Sequence, residues 1–451
     1  MIFRSVNPTT DAVVAEYPDT PPQVVGAILA RSAAAFARWK ISPFAERAAL
    51  LHRVATRLRK DRDALAALMA TEMGKPLGQG VAEVEKCAAA CDYYAENGER
   101  FLSSIPVATE ATRSYVDWRP LGPVLAIMPW NFPLWQSVRF AVPAIMAGNS
   151  VLLKHAPSVG GCANALVDLF GNDDLFQALF VDTDTVADLI RAPEVAAVTL
   201  TGSTRAGRAV GAMAGAALKK CVLELGGSDP YVVLADADLD LAVSQCVAGR
   251  LVNSGQSCIA AKRWIVVPEI ADAFVARAQA TLAATVVGDP FNPDTEVGPM
   301  ARRDLREALH RQVVESVQRG AELRLGGDVP EGPGAFYPVT LLDRVVPGMP
   351  AYDEELFGPV ACVVRATDER DALRTANDTS YGLGAAIFTR DAARGERLAR
   401  EHLDAGLCFV NAFVRSDPRL PFGGIKESGY GRELSVLGLR EFTNPKTAWV
   451  A

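Results

Sequence analysis

Residues 220–263 read KCVLELGGSDPYVVLADADLDLAVSQCVAGRLVNSGQSCIAAKR, and two side chains stand out there for their surroundings. Glu224 ends a β-type run just before the glycine pair Gly226 and Gly227, and Cys258 lies in the small-residue stretch Asn-Ser-Gly-Gln-Ser-Cys-Ile-Ala-Ala, residues 253–261. Glycines let the backbone turn sharply or approach a ligand closely, and Gly255 and Ser257 leave space around the sulfur. Taken singly, a cysteine is most often a small core residue and a glutamate a solvated surface charge. Together they read differently: a carboxyl between apolar residues and glycines has its pKa raised by burial toward a useful value, and a thiol among Gly, Gln and Ser is open to a substrate. The pair reads as a base and a nucleophile.

These two regions closely resemble the glutamate motif (Leu-Glu-Leu-Gly-Gly) and the cysteine motif (Gly-Gln-x-Cys) of the aldehyde dehydrogenase superfamily. Further matches follow in the family's order: Met-Pro-Trp-Asn-Phe-Pro at 128–133, Leu-Lys-His-Ala-Pro at 153–157, Thr-Gly-Ser-Thr at 201–204, Glu-Glu-Leu-Phe-Gly-Pro at 354–359 and Pro-Phe-Gly-Gly-Ile-Lys-Glu-Ser-Gly-Tyr-Gly at 421–431. The likeness runs from about Asn7 to the C-terminus. Segments 128–136, 154–157, 216–230 and 416–419 look most like the shorter NAD(P)-dependent succinate-semialdehyde dehydrogenases.

The resemblance implies a chemistry, residue by residue. Cys258 attacks the aldehyde carbonyl, because a planar carbonyl has no readily expelled hydride and a thiohemiacetal does. The Asn131 amide and the Cys258 backbone N–H hold the oxyanion; by itself Asn131 reads as a turn residue before Phe132-Pro133. Glu224 activates water to hydrolyse the thioester, which favours a free acid as product over acyl transfer to a thiol. For the dinucleotide, the likeness assigns Lys154 to the adenosine ribose, Gly202 and Ser203 to the phosphate turn, Glu355 to the nicotinamide ribose and Phe357 to packing beside it. Met128, Pro129, Trp130, Ala156 and Leu225 complete the cofactor-binding set, and no metal is implied. Pro157 stands where many NAD-preferring relatives carry a glutamate, which removes a barrier to a 2′-phosphate; NADP is slightly favoured, with NAD close behind. A semialdehyde with a far-end carboxylate needs an Arg or hydroxyls, and Arg139 and Ser416 are expected to supply them, beside Trp135 and with Arg415 as an alternative. An uncharged or longer carboxylated aldehyde is the rival substrate.

Composition sets the outer bounds. The chain has 451 residues, 49% of them apolar and 22% charged, as in ordinary globular proteins. Its net charge of −7 and lack of a dense basic run give no reason to expect nucleic acid or an anionic membrane as partner. No apolar run reaches the ~18 residues of a membrane span, and no targeting pattern precedes Asn7, so a cytoplasmic enzyme is expected. The eight cysteines are scattered without a Cys-x-x-Cys; Cys87 and Cys91, one helical turn apart, read as core.

Helical spacing predominates from residue 21 to about 101, and from residue 124 short β-rich runs alternate with helices. That alternation predicts an α/β fold with doubly wound parallel sheets. The third run leads into Gly202-Ser-Thr-Arg-Ala-Gly207, a turn whose N–H groups and following helix dipole suit a pyrophosphate. With the resemblance, the expected architecture is aldehyde dehydrogenase-like: a variant Rossmann cofactor domain (1–104 and 120–223), a catalytic domain (224–432), and a small intersubunit β arm (105–119 and 433–451) that makes a homodimer or homotetramer. Around 171–180 the chain appears a few residues shorter than its relatives, which leaves the loop near the adenosine side open.

Overall fold

In the computed structural model, which describes residues 2–171 and 174–451, strands Pro123–Met128 and Ser150–His155 lie side by side within a six-stranded sheet. Val124, Leu125, Ala126, Val151, Leu152 and Leu153 are all fully buried, as a parallel strand covered on both faces requires. The sheet runs Gly429–Tyr430, Lys220–Glu224, Ala197–Thr201, Pro123–Met128, Ser150–His155, Phe176–Ala178. Its five parallel strands therefore stand in the order 3-2-1-4-5, with the reversal between Pro123–Met128 and Ala197–Thr201. Ligands of open α/β sheets bind at such a reversal, outside the carboxyl ends of the strands.

The second sheet has seven strands, in the order Glu322–Leu325, Thr340–Asp343, Val360–Arg365, Ala261–Val266, Asp229–Val233, Gly384–Phe388, Leu407–Val410. Both sheets are parallel except at one edge, where Glu322–Leu325 and Gly429–Tyr430 pair antiparallel. Residues 225–228 are all that separates the last strand of the first sheet from Asp229–Val233 of the second. The Glu224 end thus faces the start of the catalytic strands, and Cys258 stands just before Ala261–Val266. The site lies in this seam.

Two details differ from the expected layout. Gly429–Tyr430, expected in the catalytic part, extends the edge of the first sheet beside Leu223 and Glu224. Of the tail, only Thr443–Val450 joins the small three-stranded sheet with Arg113–Pro120 and Ile105–Pro106; the preceding helix Ser435–Glu441 packs on helices Trp135–Ala147 and Leu77–Phe101. Hydrophobic patterning did not separate them because Leu434 and Leu439 are core residues while Trp449, 51% exposed, is not. Residues 2–18 add an antiparallel hairpin, and Cys87 and Cys91 are buried in the core beneath the N-terminal helices. Two residues of the loop expected to be short, Asn172 and Asp173, lie outside the described residues. Among the described residues no helix is long and apolar enough to cross a membrane.

Candidate active site

Cys258 is carried by a loop whose backbone is unusual and heavily restrained. Asn253, Ser254 and Gly255 are consecutively left-handed, with φ of 55°, 55° and 74°. Non-glycine residues persist there only when their surroundings insist. The Asn253 amide donates to the carbonyls of Asn131 (2.6 Å) and Gln256 (3.0 Å), and its N–H donates to Gln79 Oε1 at 2.7 Å. Ser254 Oγ accepts from Gly298 N–H and Gln256 Oε1 from Ala301 N–H, both at 2.9 Å. The buried Arg250 Nη2 donates to the carbonyls of Gly255 (2.7 Å), Leu356 (3.1 Å) and Gly358 (2.6 Å), joining the cysteine loop to the loop of Glu355 and Phe357. Lys262 Nζ donates to the carbonyls of Ser257 and Cys258, each at 2.9 Å, and stands 3.6 Å from Glu355. Gly255 lies so close to this neighbour that an added Cβ would sit 2.1 Å from the Gly358 carbonyl.

The glycines after Glu224 have an equally specific reason. A Cβ on Gly227 would lie 2.5 Å from the Cys258 carbonyl, and one on Gly226 would lie 2.6 Å from the Glu355 carboxylate, which accepts from Gly227 N–H at 3.1 Å. Only glycine allows the strand end, the cysteine loop and the Glu355 loop to meet. Gly423, at φ +146°, performs the same service for the base: a Cβ there would lie 2.6 Å from Glu224 Oε1.

Glu224 is 2% exposed, and neither of its carboxylate oxygens has a hydrogen-bond partner among the described residues. Burial, then the charge of Glu433, push its pKa well above the ordinary carboxylate range, against pulls from Arg139 and Arg432. Cys258 is half-buried, and its thiol is pushed up to about 12, chiefly by burial, with Arg139 and Lys262 opposing and Glu355 and Glu224 adding to the rise. The two groups therefore feel each other across the seam, and burial is the chief cause of the rise in both. That is the arrangement of a proton acceptor and a nucleophile awaiting a substrate.

Asn131 sits against the cysteine loop, its Nδ2 donating to the Gln256 carbonyl at 3.0 Å. Among the described residues the second Nδ2 hydrogen has no partner, nor does the backbone N–H of Cys258. Two donors thus remain for an oxyanion. The Asn131 turn is fixed from both sides. Glu83, buried and ion-paired with Lys75, accepts from the N–H groups of Leu134 (3.0 Å) and Trp135 (2.9 Å) at the start of the Trp135–Ala147 helix. His155, at the end of Ser150–His155, donates from Nε2 to the Pro133 carbonyl at 2.8 Å and accepts from Ala156 N–H, so its ring is neutral, with its pKa lowered to about 4 by burial.

A cavity of about 180 Å³ adjoins the thiol, lined by Cys258, Phe132, Gln136, Arg139, Arg415, Ser416 and Phe422 among others. It is smaller than the ~300–1,000 Å³ of drug-sized sites, which suits a small metabolite. All three residues expected at the substrate's far end are on its wall. Arg139 is 3% exposed, not on the surface, and its guanidinium is ion-paired with Glu433, reaches Thr201 Oγ1 at 3.3 Å and stacks on Phe422. Ser416 Oγ accepts from the Trp135 indole at 3.2 Å, while Arg415 is exposed, over the Phe413 ring.

The residues expected to hold a dinucleotide gather at the reversal of the first sheet. Met128 ends one strand and leads through Pro129 to Trp130, which meets Phe357 edge-on at 5.8 Å. Gly202 and Ser203 follow the neighbouring strand; Ser203 caps helix Thr204–Ala216, and a Cβ on Gly202 would meet only Leu200 beyond 3.5 Å, leaving room at the helix N-terminus. Lys154 is half-buried, and among the described residues its side chain makes no hydrogen bond or ion pair. The carboxylate it feels, Asp182, is occupied capping helix Thr183–Arg191. Ala156 and Pro157 open a short turn beside it, and Leu225 is buried against Gly207. An open phosphate turn, an unengaged lysine and a carboxylate (Glu355) across the seam fit a dinucleotide. Glu433, Arg250, Lys262 and His155 were given no role from sequence, although His155 lies within a quoted motif, Arg250 and Lys262 within the opening stretch and Glu433 two residues past another motif; their partners, among them Leu356, Gly358, Glu355, Pro133 and Arg139, are brought to them by the fold.

The chain matches the description "Aldehyde dehydrogenase family" over residues 1–448. It is 48% identical to the succinate semialdehyde dehydrogenase [NAD(P)+] Sad of Escherichia coli K12, covering 99% of this chain and 97% of that protein. It is 47% identical to succinate-semialdehyde dehydrogenase [NADP(+)] 1 of Mycobacterium tuberculosis H37Rv, with both chains covered completely. Among solved structures, Gox0499, described for its cofactor and substrate selection, superposes with a TM-score of 0.98 at 41% identity over 100% of both chains. The succinic semialdehyde dehydrogenase of Streptococcus pyogenes in complex with NADP+ gives 0.97 at 35% identity over 99% of both. With its thiol, carboxyl and amide gathered in one seam and this likeness along its whole length, the chain belongs to the aldehyde dehydrogenase family.

Proposed function

We propose that this chain oxidises succinate semialdehyde to succinate with reduction of NADP+ or NAD+. The observation that carries the reading is that the Cys258 thiol and the cationic and hydroxyl groups of Arg139, Arg415 and Ser416 share one small cavity. An aldehyde with a carboxylate at its far end fits such a wall at both ends. The reading also rests on the names of the relatives, two of which specify NADP+.

In this scheme Cys258 loses its proton, by way of the ionised Glu224, to solvent and bonds to the aldehyde carbon, and the oxygen is held by Asn131 Nδ2 and the Cys258 N–H. The bound dinucleotide supplies the hydride acceptor, seated by Lys154, Gly202, Ser203, Glu355 and Phe357, with Met128, Pro129, Trp130, Ala156, Pro157 and Leu225 shaping its bed. Glu224 then takes a proton from the water that cleaves the thioester, and succinate leaves. Pro157 leaves no carboxylate to repel a 2′-phosphate, which removes a barrier to NADP+ and favours it slightly, with NAD+ close behind.

The working form in this reading is a homo-oligomer built through the sheet of Ile105–Pro106, Arg113–Pro120 and Thr443–Val450, whose Ile105, Val107, Trp449 and Val450 are exposed. Eight free thiols suit a reducing compartment, in line with a cytoplasmic enzyme. The test is reduced-cofactor formation with succinate semialdehyde against an uncharged aldehyde of similar length, with NADP+ and NAD+ in parallel. A kcat/KM for the carboxylated aldehyde at least ~10-fold higher supports the reading, since tenfold is about 1.4 kcal/mol of recognition. Equal or better turnover of the uncharged aldehyde discards the succinate assignment. Light scattering on the same protein tests the assembly, and a fully active monomer would discard it.

A further inference from the structure

The cavity beside Cys258 has one more cation on its wall, and its situation differs from that of Arg139. Lys86, on the helix Leu77–Phe101, lines this cavity and also the larger one of about 1,070 Å³ that opens beside it, with Phe132 and Val252 common to both. Its Nζ donates to Ser416 Oγ at 2.7 Å and stands 4.5 Å from the Trp135 ring centre, so one ammonium, one hydroxyl and one indole N–H converge on a single point. Among the described residues Lys86 has no carboxylate ion-pair partner, whereas Arg139 is spent on Glu433. A half-buried ammonium with donors to spare, set in a fixed frame at the junction of an open cavity and the thiol cavity, is built to meet an anion.

We infer that Lys86 joins Arg139 and Ser416 in seating the far-end carboxylate of the aldehyde, with Ser416 and Trp135 as its frame, and that it sets the enzyme's preference for carboxylated over uncharged substrates. This rests on the proposed reading of the substrate. Arg139, ion-paired with Glu433, stands on the same wall and adds its positive charge there.

The ammonium's pKa is lowered to about 8, first by burial and then by Arg139, while Cys87, Glu83 and Asp417 oppose the fall. Lys86 is charged below that pH and neutral above it. KM for a carboxylated aldehyde accordingly rises as pH passes through about 8, and KM for an uncharged one does not.

The experiment compares wild type, Lys86→Gln and Lys86→Arg on succinate semialdehyde and on an uncharged aldehyde of similar length, across pH 6.5–9.5. Loss of a charge-assisted contact predicts that Lys86→Gln raises KM for succinate semialdehyde ~10- to 100-fold with kcat nearly kept, and leaves the uncharged aldehyde unchanged. Lys86→Arg restores most of the KM and moves its rise with pH beyond the measured range. Equal losses on both substrates would make Lys86 merely structural, and an unaltered preference would remove it from the site; either overturns the inference. If the glutamine variant fails to fold, the arginine variant and the wild-type pH profile decide alone, and a wild-type KM ratio that does not change with pH overturns it. A wild type with no preference for the carboxylated aldehyde fails the substrate reading itself. A wild type that prefers it, with a Lys86→Gln variant that does so equally, fails only the assignment to Lys86.

Discussion

The loop that carries Cys258 and the strand end that carries Glu224 belong to one site, yet the fold treats them oppositely. The cysteine loop is tied at nearly every residue, by Asn253, Ser254, Gln256, Arg250 and Lys262, and its backbone is driven into left-handed conformations to satisfy those ties. Glu224 sits equally deep with neither oxygen bonded. A nucleophile works only when its approach is fixed to within a fraction of an ångström, so the fold spends hydrogen bonds on it. A base must take up a proton, turn toward water and give the proton away, and hydrogen bonds to its ionised form would lower the basicity it needs. Rigidity and restraint are distributed by chemical task within a few residues of each other.

The contrast is broken most severely by removing the thiol. Cys258→Ala is expected to lower kcat by more than ~10⁴-fold while dinucleotide binding, followed by fluorescence titration, is kept. Measurable steady-state oxidation near the wild-type rate would deny Cys258 its role. Glu224→Gln is expected to separate the two halves of the reaction: a burst of reduced cofactor remains, slowed because the thiol now loses its proton to solvent alone, and steady-state turnover falls ~10²- to 10⁴-fold because thioester hydrolysis loses its base. The pH dependence has a definite sign. Glu224 acts when deprotonated, and its pKa lies well above the ordinary carboxylate range, so wild-type kcat climbs with pH through that raised value. The glutamine variant loses this climb, and a variant that retained it would place the base elsewhere.

Much of this division was legible in the sequence, and the part that was not has a common cause. Strand and helix alternation, the Glu224 and Cys258 surroundings and the Gly202 turn are local signals, and the structure brings Cys258, Arg139, Arg415 and Ser416 to one cavity, with Asn131 bonded to the loop that carries Cys258. The reasons for Gly226 and Gly227 were half legible: close approach was expected, but to a ligand, and what approaches is the Cys258 carbonyl and the Glu355 carboxylate. Glu433 and Lys86 were invisible because each owes its meaning to a partner far along the chain, as in Lys86 with Ser416, 330 residues apart, while Arg250 and Lys262 gave no sign that their side chains fold back onto carbonyls of the nearby cysteine loop. A charged residue in a helix reads as solvated until the fold shows what it faces.

The rigid side is tested through Arg250, which touches no reacting atom. Arg250→Met leaves the carbonyls of Gly255, Leu356 and Gly358 without their donor and loosens the thiol loop against the Glu355 loop. Misplacement of this kind is expected to lower kcat ~10- to 100-fold, with a fall in Tm from the orphaned carbonyls. Arg250→Lys, which keeps a charge but not the fork, is expected to recover Tm better than kcat. Equal recovery of both would mean that Arg250 serves stability alone.

The unrestrained side should show a cost in stability, small but of fixed sign. Because burial and Glu433 raise the Glu224 pKa, the native carboxyl keeps its proton at pH values where the unfolded chain has already lost it. The native state then binds more protons than the unfolded state, so stability falls as pH rises from the ordinary carboxylate range toward the raised value. Glutamine binds no proton in either state and removes that fall. Glu224→Gln is therefore expected to raise Tm by ~1–3 °C at pH 8 and to leave it nearly unchanged at pH 4, measured by calorimetry against wild type. A variant less stable than wild type at pH 8 would show that the carboxylate is held by favourable contacts after all, and the contrast between the bound thiol loop and the unbonded base would fail on its second half.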